Sequence, residues 1–250
     1  MTFRIISRLD IKPPNLVKGV HLEGFRKVGD PAFFARKYYE QGADEISYQD
    51  IVASLYDRNS IQSLVSITAE DVFIPVTVGG GIRNIEDATL LIRSGADKVC
   101  LNTAAVKNPD VISHLASVFG TQAVVLGIEA KHSGGGDYSV MTDCGREKSG
   151  LSVKDWAGLA SELGAGEIFL TSIDREGTRS GLDLELLKLV RSLSELPIVL
   201  HGGSKTAEDI SLAAKAGADG VAIASLLHFQ INTITELKES LSNLGIKVRI

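Results

Sequence analysis

Two glycine turns and two carboxylates carry most of the chemistry legible in this chain. The turns are Val78-Gly79-Gly80-Gly81-Ile82 and Leu200-His201-Gly202-Gly203-Ser204, each closing an apolar run. Glycine lets successive backbone N–H groups come close to an anion, and the start of a helix just beyond adds a favourable dipole. Two further apolar runs end in Asn102-Thr103 and Ala224-Ser225, whose side chains and amides can complete each site. A pair of such sites suits a ligand with a phosphate at each end. Taken singly, each turn is also what a tight reversal of the chain requires. Asp10, in Arg8-Leu9-Asp10-Ile11-Lys12, and Glu129, in Gly127-Ile128-Glu129-Ala130-Lys131, stand at the ends of other apolar runs. Two carboxyls between two anion sites are placed for general acid–base work, although a single carboxylate at such a position is more often a cap or a surface group. Asp50, Asp174 and Glu176 lie near further run ends and read equally as positioning groups or surface acids. His201 either titrates near neutral pH or simply lines the second turn. No cluster of His, Cys, Asp or Glu has metal-ligand spacing, and neither a metal nor an organic cofactor is expected.

These positions need a scaffold that gathers distant run ends. Short apolar runs alternate with longer amphipathic ones along the whole chain. The periodicity predicts strands at about 4–10, 45–50, 73–78, 98–102, 123–128, 167–172, 197–201 and 220–224. It predicts helices at about 30–41, 58–69, 84–93, 108–119, 152–163, 183–193, 205–216 and 234–244. Many strands are rich in Val, Ile and Leu, as strands covered on both faces are. Eight strand–helix units predict an α/β chain forming a single (β/α)8 TIM barrel over residues 1–250, not an open sheet. The candidates then gather at the C-terminal ends of the strands, the face that carries function in this architecture. Two segments interrupt the pattern. Residues 17–29 read as a long loop after the first strand, and residues 133–150, with Gly134-Gly135-Gly136, as a small hairpin after the fifth.

The strongest organising signal is an internal repeat. Residues 80–97 read GGIRNIEDATLLIRSGAD and residues 202–219 read GGSKTAEDISLAAKAGAD. Gly42-Ala43-Asp44-Glu45-Ile46 likewise matches Gly164-Ala165-Gly166-Glu167-Ile168, and every pair shares one offset of 122 residues. The chain therefore reads as two related half-barrels, about 1–121 and 122–250, which sets the two glycine turns across the barrel axis from each other.

The hydrophobic fraction of 44% supplies a core, and a net charge of −5 without any basic tract argues against nucleic-acid binding. Cys100 and Cys144 form no paired motif and read as free thiols of a reducing compartment. No apolar stretch is long enough to span a membrane and the N-terminus lacks the pattern of a signal peptide, so a cytoplasmic location is expected. At the opposite, N-terminal face, Arg4, Glu45, Lys98 and Glu167 begin four of the predicted strands. Two acids and two bases facing one axis read, on their own, as a stabilising ring of ion pairs.

The whole chain from Arg4 to about Phe229 resembles the cyclase-subunit family of imidazole glycerol phosphate synthase. The matching stretches include Leu9-Asp10-Ile11-Lys12, Leu16-Val17-Lys18-Gly19, Gly42-Ala43-Asp44-Glu45, Val78-Gly79-Gly80-Gly81-Ile82-Arg83, Gly95-Ala96-Asp97-Lys98-Val99, Asn102-Thr103-Ala104-Ala105-Val106 and Leu170-Thr171-Ser172-Ile173-Asp174-Arg175. The resemblance implies a lyase-type cyclase of histidine biosynthesis. Ammonia from a glutaminase subunit, docked on the N-terminal face as a heterodimer, would attack a ribulosyl carboxamide nucleotide carrying two phosphates. The products would be imidazole glycerol phosphate and an aminoimidazole carboxamide ribotide. It also implies catalytic carboxylates at Asp10 and Glu129, and phosphate ligands at Gly80, Gly81, Asn102, Thr103, Gly177, Gly202, Gly203, Ala224 and Ser225. Lys18, Asp50, Thr171, Asp174, Glu176 and His201 would complete the mouth. Arg4, Glu45, Lys98 and Glu167 become an ammonia gate.

The chemical face departs from that pattern. Position 129 carries Glu where the family has Asp, Glu176 also stands for Asp, His201 for Ser, Pro13-Pro14 for Asp-Gly, and Val52 for Thr. One added methylene moves a carboxylate by ~1 Å, a misplacement worth roughly 10²-fold in rate. An intact gate with an altered face also fits a paralogue that delivers ammonia for amidation of a nucleotide sugar in surface-polysaccharide synthesis. A phosphoribosyl isomerase shares the repeat but needs no gate. A non-catalytic, ammonia-conducting barrel is the remaining alternative.

Overall fold

In the computed structural model, which describes residues 2–53 and 61–250, eight parallel strands close into a barrel. Counting all strands in chain order, they are β1 (Arg4–Lys12), β4 (Glu45–Asp50), β5 (Val76–Gly79), β6 (Lys98–Leu101), β7 (Val124–Gly134), β10 (Glu167–Ser172), β11 (Ile198–His201) and β12 (Gly220–Ile223). Each pairs with the next, β7 pairs with β10, and β12 returns to β1 with Arg4 opposite Gly220 and Ser7 opposite Ile223. Alternation along β1 shows why the sequence folds this way. Ile5, Leu9 and Ile11 point outward into the main core under the helices, while Ile6 belongs to a second apolar cluster inside the barrel. No helix among the described residues is long and apolar enough to cross a membrane.

The two halves keep matching local geometry. Asn84 caps the helix Ile85–Arg93 by accepting from Asp87 N, and Thr206, 122 residues later, caps Ala207–Lys215 by accepting from Asp209 N. Asn102 (φ −126°, ψ −82°) precedes the short helix Thr103–Lys107, and Ala224 (φ −127°, ψ −74°) precedes Ser225–His228. The periodicity did not predict these two short helices, because each is too brief to show a helical repeat.

Other boundaries differ for physical reasons. The strand expected from residue 73 begins at Val76, leaving Phe73 exposed. The helix expected over 152–163 ends at Leu159, with a further turn leading to Gly164. The start of the helix expected at 58–69 falls in residues 58–60, outside the described residues; among the described residues a helix spans Gln62–Asp71. Residues 17–29 are no loop: β1 runs on to Lys12 and pairs antiparallel with β2 (Asn15–Val20), which pairs with β3 (Glu23–Gly29). Its turn residues, His21 and Leu22, hold left-handed φ of 54° and 58°, so no Asn-Gly signature betrayed the hairpin. The second insertion is the expected hairpin in larger form, with β7 continuing into β8 (Asp137–Thr142) and β9 (Glu147–Ser152).

Candidate active site

The inward residues of β1 mark four levels of the lumen: Arg4, Ile6, Arg8 and Asp10. At the bottom, Arg4 Nη1 lies 3.3 Å from Glu45 Oε2 and its Nη2 contacts Glu167 Oε1. Lys98 Nζ lies 2.7 Å from Glu45 Oε2 and 2.7 Å from Glu167 Oε2, which closes the four residues into a ring. Burial alone would raise the Glu167 carboxyl, but Lys98 and Arg4 outweigh it and hold it below its ordinary range. Directly above is an apolar layer of Ile6, Cys100, Val125, Phe169, Val199 and Ala222. The Arg8 guanidinium lies over it, its Cζ 5.7 Å from the Phe169 ring centre.

Arg8 and the two carboxyls form the centre of the mouth. Arg8 Nε donates to Asp10 Oδ1 at 2.9 Å and Nη1 donates to Thr171 Oγ1 at 3.1 Å. Asp10 is fully buried, with Lys18 Nζ 3.7 Å from its other oxygen. Burial pushes the Asp10 carboxyl up, but Arg8 and then Lys18 overcome that and hold it at about 2. Glu129 is placed differently. Its Oε2 accepts a 2.8 Å bond from Gly145 N in the β8–β9 turn, and burial pushes its carboxyl up to about 7 against the opposing pull of Arg8 and that N–H. The two acids thus differ in kind: one is a fixed anion and the other exchanges a proton near neutrality.

Both glycine turns hold backbone that only glycine fits. Gly80 has φ 95°, and a Cβ there would lie 2.3 Å from Asp50 O; at Gly203 (φ 96°) it would lie 2.2 Å from Gly181 O. The Gly80–Gly81 turn lines a cavity of about 240 Å³ together with Arg8, Asp50, Asn102, Thr103, Glu129 and Thr171. The β7–β8–β9 insertion holds this side in place: Asn102 Nδ2 donates to Met141 O at 3.0 Å, and Thr103 Oγ1 accepts from Asp143 N at 2.9 Å. The Gly202–Gly203 turn lines a separate recess of about 20 Å³ with Lys18, Glu176, Gly177, His201, Ala224 and Ser225.

The second recess has a buried polar wall. Lys18 Nζ bridges to Glu176 Oε1, and Glu176 Oε2 accepts from Leu22 N at 3.1 Å, so this acid pins the β2–β3 hairpin over the mouth. His201 Nδ1 is 3.0 Å from Ala222 O, which fixes Nδ1 as the donor, while Nε2 lacks a hydrogen-bond partner among the described residues and lies 3.9 Å from Glu176 Oε1. Burial, then Arg8, pushes the His201 pKa well down, so the ring is neutral. Asp50 is buried on the cavity wall and accepts from Val52 N at 3.0 Å. Asp174 is not brought to the mouth: it is exposed, accepts from His132 N at 2.7 Å and faces an outer groove. Arg8 is the residue that sequence reasoning passed over. The signal was there, since Arg4, Ile6, Arg8 and Asp10 share the inward face of one strand.

This geometry has relatives. Residues 4–233 match a family model described as histidine biosynthesis protein. The chain is 58% identical over 83% of its length to an imidazole glycerol phosphate synthase subunit HisF of Legionella pneumophila, of which 98% is covered. It is 48% identical to the subunit so named in Pyrobaculum aerophilum, across 100% of this chain and 99% of the relative. For that of Alkaliphilus metalliredigens the identity is 46%, with 100% and 99% covered. The chain therefore belongs to the histidine biosynthesis protein family, among its HisF subunits.

Proposed function

We propose that the chain is the ammonia-using cyclase subunit of an imidazole glycerol phosphate synthase. It would convert the bisphosphorylated ribulosyl carboxamide nucleotide to imidazole glycerol phosphate and the aminoimidazole carboxamide ribotide. The observation that carries this reading is the lumen: a closed ion ring over an apolar layer that leads to the cavity holding Arg8 and Glu129. Neutral ammonia can cross an apolar layer, whereas ammonium would suffer a large desolvation cost. Glu129 is the member of the carboxyl pair that exchanges protons, and Asp10 is its permanently ionised partner. The Gly80–Gly81 and Gly202–Gly203 turns, with Asn102-Thr103, Gly177 and Ala224-Ser225, grip the phosphates. The relatives are named as subunits of a synthase, so a partner subunit is implied. A glutaminase on the N-terminal face, above Arg4, Glu45, Lys98 and Glu167, is the partner this reading requires.

The test supplies the ribulosyl substrate with high ammonium and no partner. Formation of imidazole glycerol phosphate supports the reading, and its absence from folded protein rejects it. One observation favours a second reading, in which the barrel passes ammonia to a nucleotide-sugar amidation. The Gly80–Gly81 cavity and the Gly202–Gly203 recess are separate, and Lys18, Glu176 and His201 wall the second, so a substrate spanning both must displace part of that wall. Under that reading the ribulosyl substrate gives no product, while a glutaminase still docks and delivers ammonia.

A further inference from the structure

Arg8 is a cation at the centre of the lumen that neither the ion ring nor the anion turns account for. It is 4% exposed and lines the main cavity beside Glu129. Its Nε and Nη1 are engaged by Asp10 and Thr171, and Nη2 has no hydrogen-bond partner among the described residues. Asp10 lines neither cavity. The carboxylate thus lies behind the guanidinium rather than on a cavity wall.

We propose that Arg8 is a catalytic residue that binds the carbonyl oxygen of the ammonia acceptor, with Asp10 as the positioning residue that aims it. The inference rests on the cyclase reading for its substrate. A planar guanidinium fixed on two sides by a carboxylate and a hydroxyl is pre-set to donate from its third nitrogen. Ammonia leaving the apolar layer emerges next to this group. Its lone pair forms a C–N bond to the carbonyl carbon, and the C=O π pair moves onto oxygen, where the Arg8 N–H groups receive the developing charge. Protonated Glu129 gives its proton to that oxygen, and as a carboxylate it then takes one from nitrogen. Glu129, protonated again, gives that proton to the hydroxyl, which leaves as water while the nitrogen lone pair forms the C=N bond, and the carboxylate takes a proton from the resulting iminium to leave the imine, so atoms and charge balance with no oxidant or reductant. The site selects a phosphate ester that carries an acceptor oxygen, carbonyl or carboxylate, within reach of Arg8.

Two arms test this. The first measures ammonium-dependent turnover of the ribulosyl substrate by the wild type, Arg8→Ala, and the double variant Arg8→Gln/Asp10→Asn, which leaves no buried charge unpaired. Loss of an oxyanion donor predicts a fall of about 10²-fold in kcat with KM nearly unchanged. Added guanidinium should restore part of the Arg8→Ala activity. Turnover of the double variant within twofold of wild type, or no rescue of an Arg8→Ala protein that melts normally, overturns the proposal. The second arm needs no turnover: calorimetry with 3-phosphoglycerate and glycerol 3-phosphate, which differ in a carboxylate. The wild type should favour the former by about tenfold, and the double variant should lose that preference, as deleting one charge-assisted pair requires. If the wild type turns over nothing yet shows this preference, Arg8 stands as the oxygen-binding group and the cyclase reading falls. No preference in the wild type, or one kept in the double variant, overturns the role of Arg8.

Discussion

Glu45 and Glu167, equivalent residues of the two half-barrels at the starts of β4 and β10, meet on one Lys98 ammonium 2.7 Å from each. A single cation thus joins the two halves at the barrel floor, and Arg4 completes the ring from the other side. Lys98→Ala is expected to disturb glutamine-dependent activity while leaving activity with free ammonium largely intact, since ammonia also enters at the mouth. It should also cost about 3 kcal/mol of stability, the scale for stripping a partner from buried acids. Equal losses in both assays would reduce the ring to a structural device.

Glu129 makes activity and stability respond to pH in predictable directions. The kcat/KM with free ammonia should change near pH 7, where this carboxyl exchanges its proton. Its folded value lies above its ordinary 4.5, so the folded state holds more protons between about 4.5 and about 7. Stability therefore falls as pH rises through that window. Glu129→Gln should flatten this slope and stabilise the protein at pH 8 by roughly 1–3 kcal/mol relative to pH 5, as measured by urea denaturation. An unchanged slope in the variant would locate the titration elsewhere.

The Lys18–Glu176 pair pins the first hairpin over the mouth. Lys18→Met strands Glu176 and removes one of the two cations beside Asp10, which predicts a loss of about 3–5 kcal/mol. The double variant Lys18→Met/Glu176→Gln should recover most of it. A double-mutant cycle in urea that shows additive effects would contradict this coupling.

Gly134 and Gly203 share a left-handed backbone, φ 99° and 96°, but differ in surroundings. A Cβ at Gly134 meets nothing within 4 Å, whereas at Gly203 it meets Gly181 O at 2.2 Å. Gly134→Ala should cost only the conformational ~1–2 kcal/mol. Gly203→Ala adds overpacking of ~1–3 kcal/mol and should abolish phosphate binding on its side of the mouth. Crystals soaked in phosphate report the second effect directly.

The barrel was legible because short, largely apolar strands alternate with amphipathic helices, and because a repeat at one offset fixes which strands oppose. The ion ring was legible as four charged residues at four strand starts; whether it closes is a matter of side-chain reach that only coordinates supply. The hairpin at residues 15–29 was hidden because His21 and Leu22, rather than glycine or asparagine, turn the chain. Glu129 and Asp10 were legible as a pair of strand-end carboxyls, but the opposite shifts of their carboxyls depend on burial at Glu129 and on Arg8 at Asp10, whose contact lies two residues along its own strand. The wall of the second recess was equally invisible, since Lys18, Glu176 and His201 come from three distant segments.

The matched angles at Asn102 and Ala224 have an evolutionary consequence. The same backbone bend is made by an amide side chain in one half and a bare methyl in the other. A grip built from peptide N–H groups is indifferent to the side chain that decorates it. Under the proposed phosphate grip, a duplicated copy of such a barrel keeps its hold on phosphorylated ligands while the central residues mutate one at a time. Each intermediate still retains a ligand on which selection can act, so new acceptors become reachable without passing through a sequence that binds nothing.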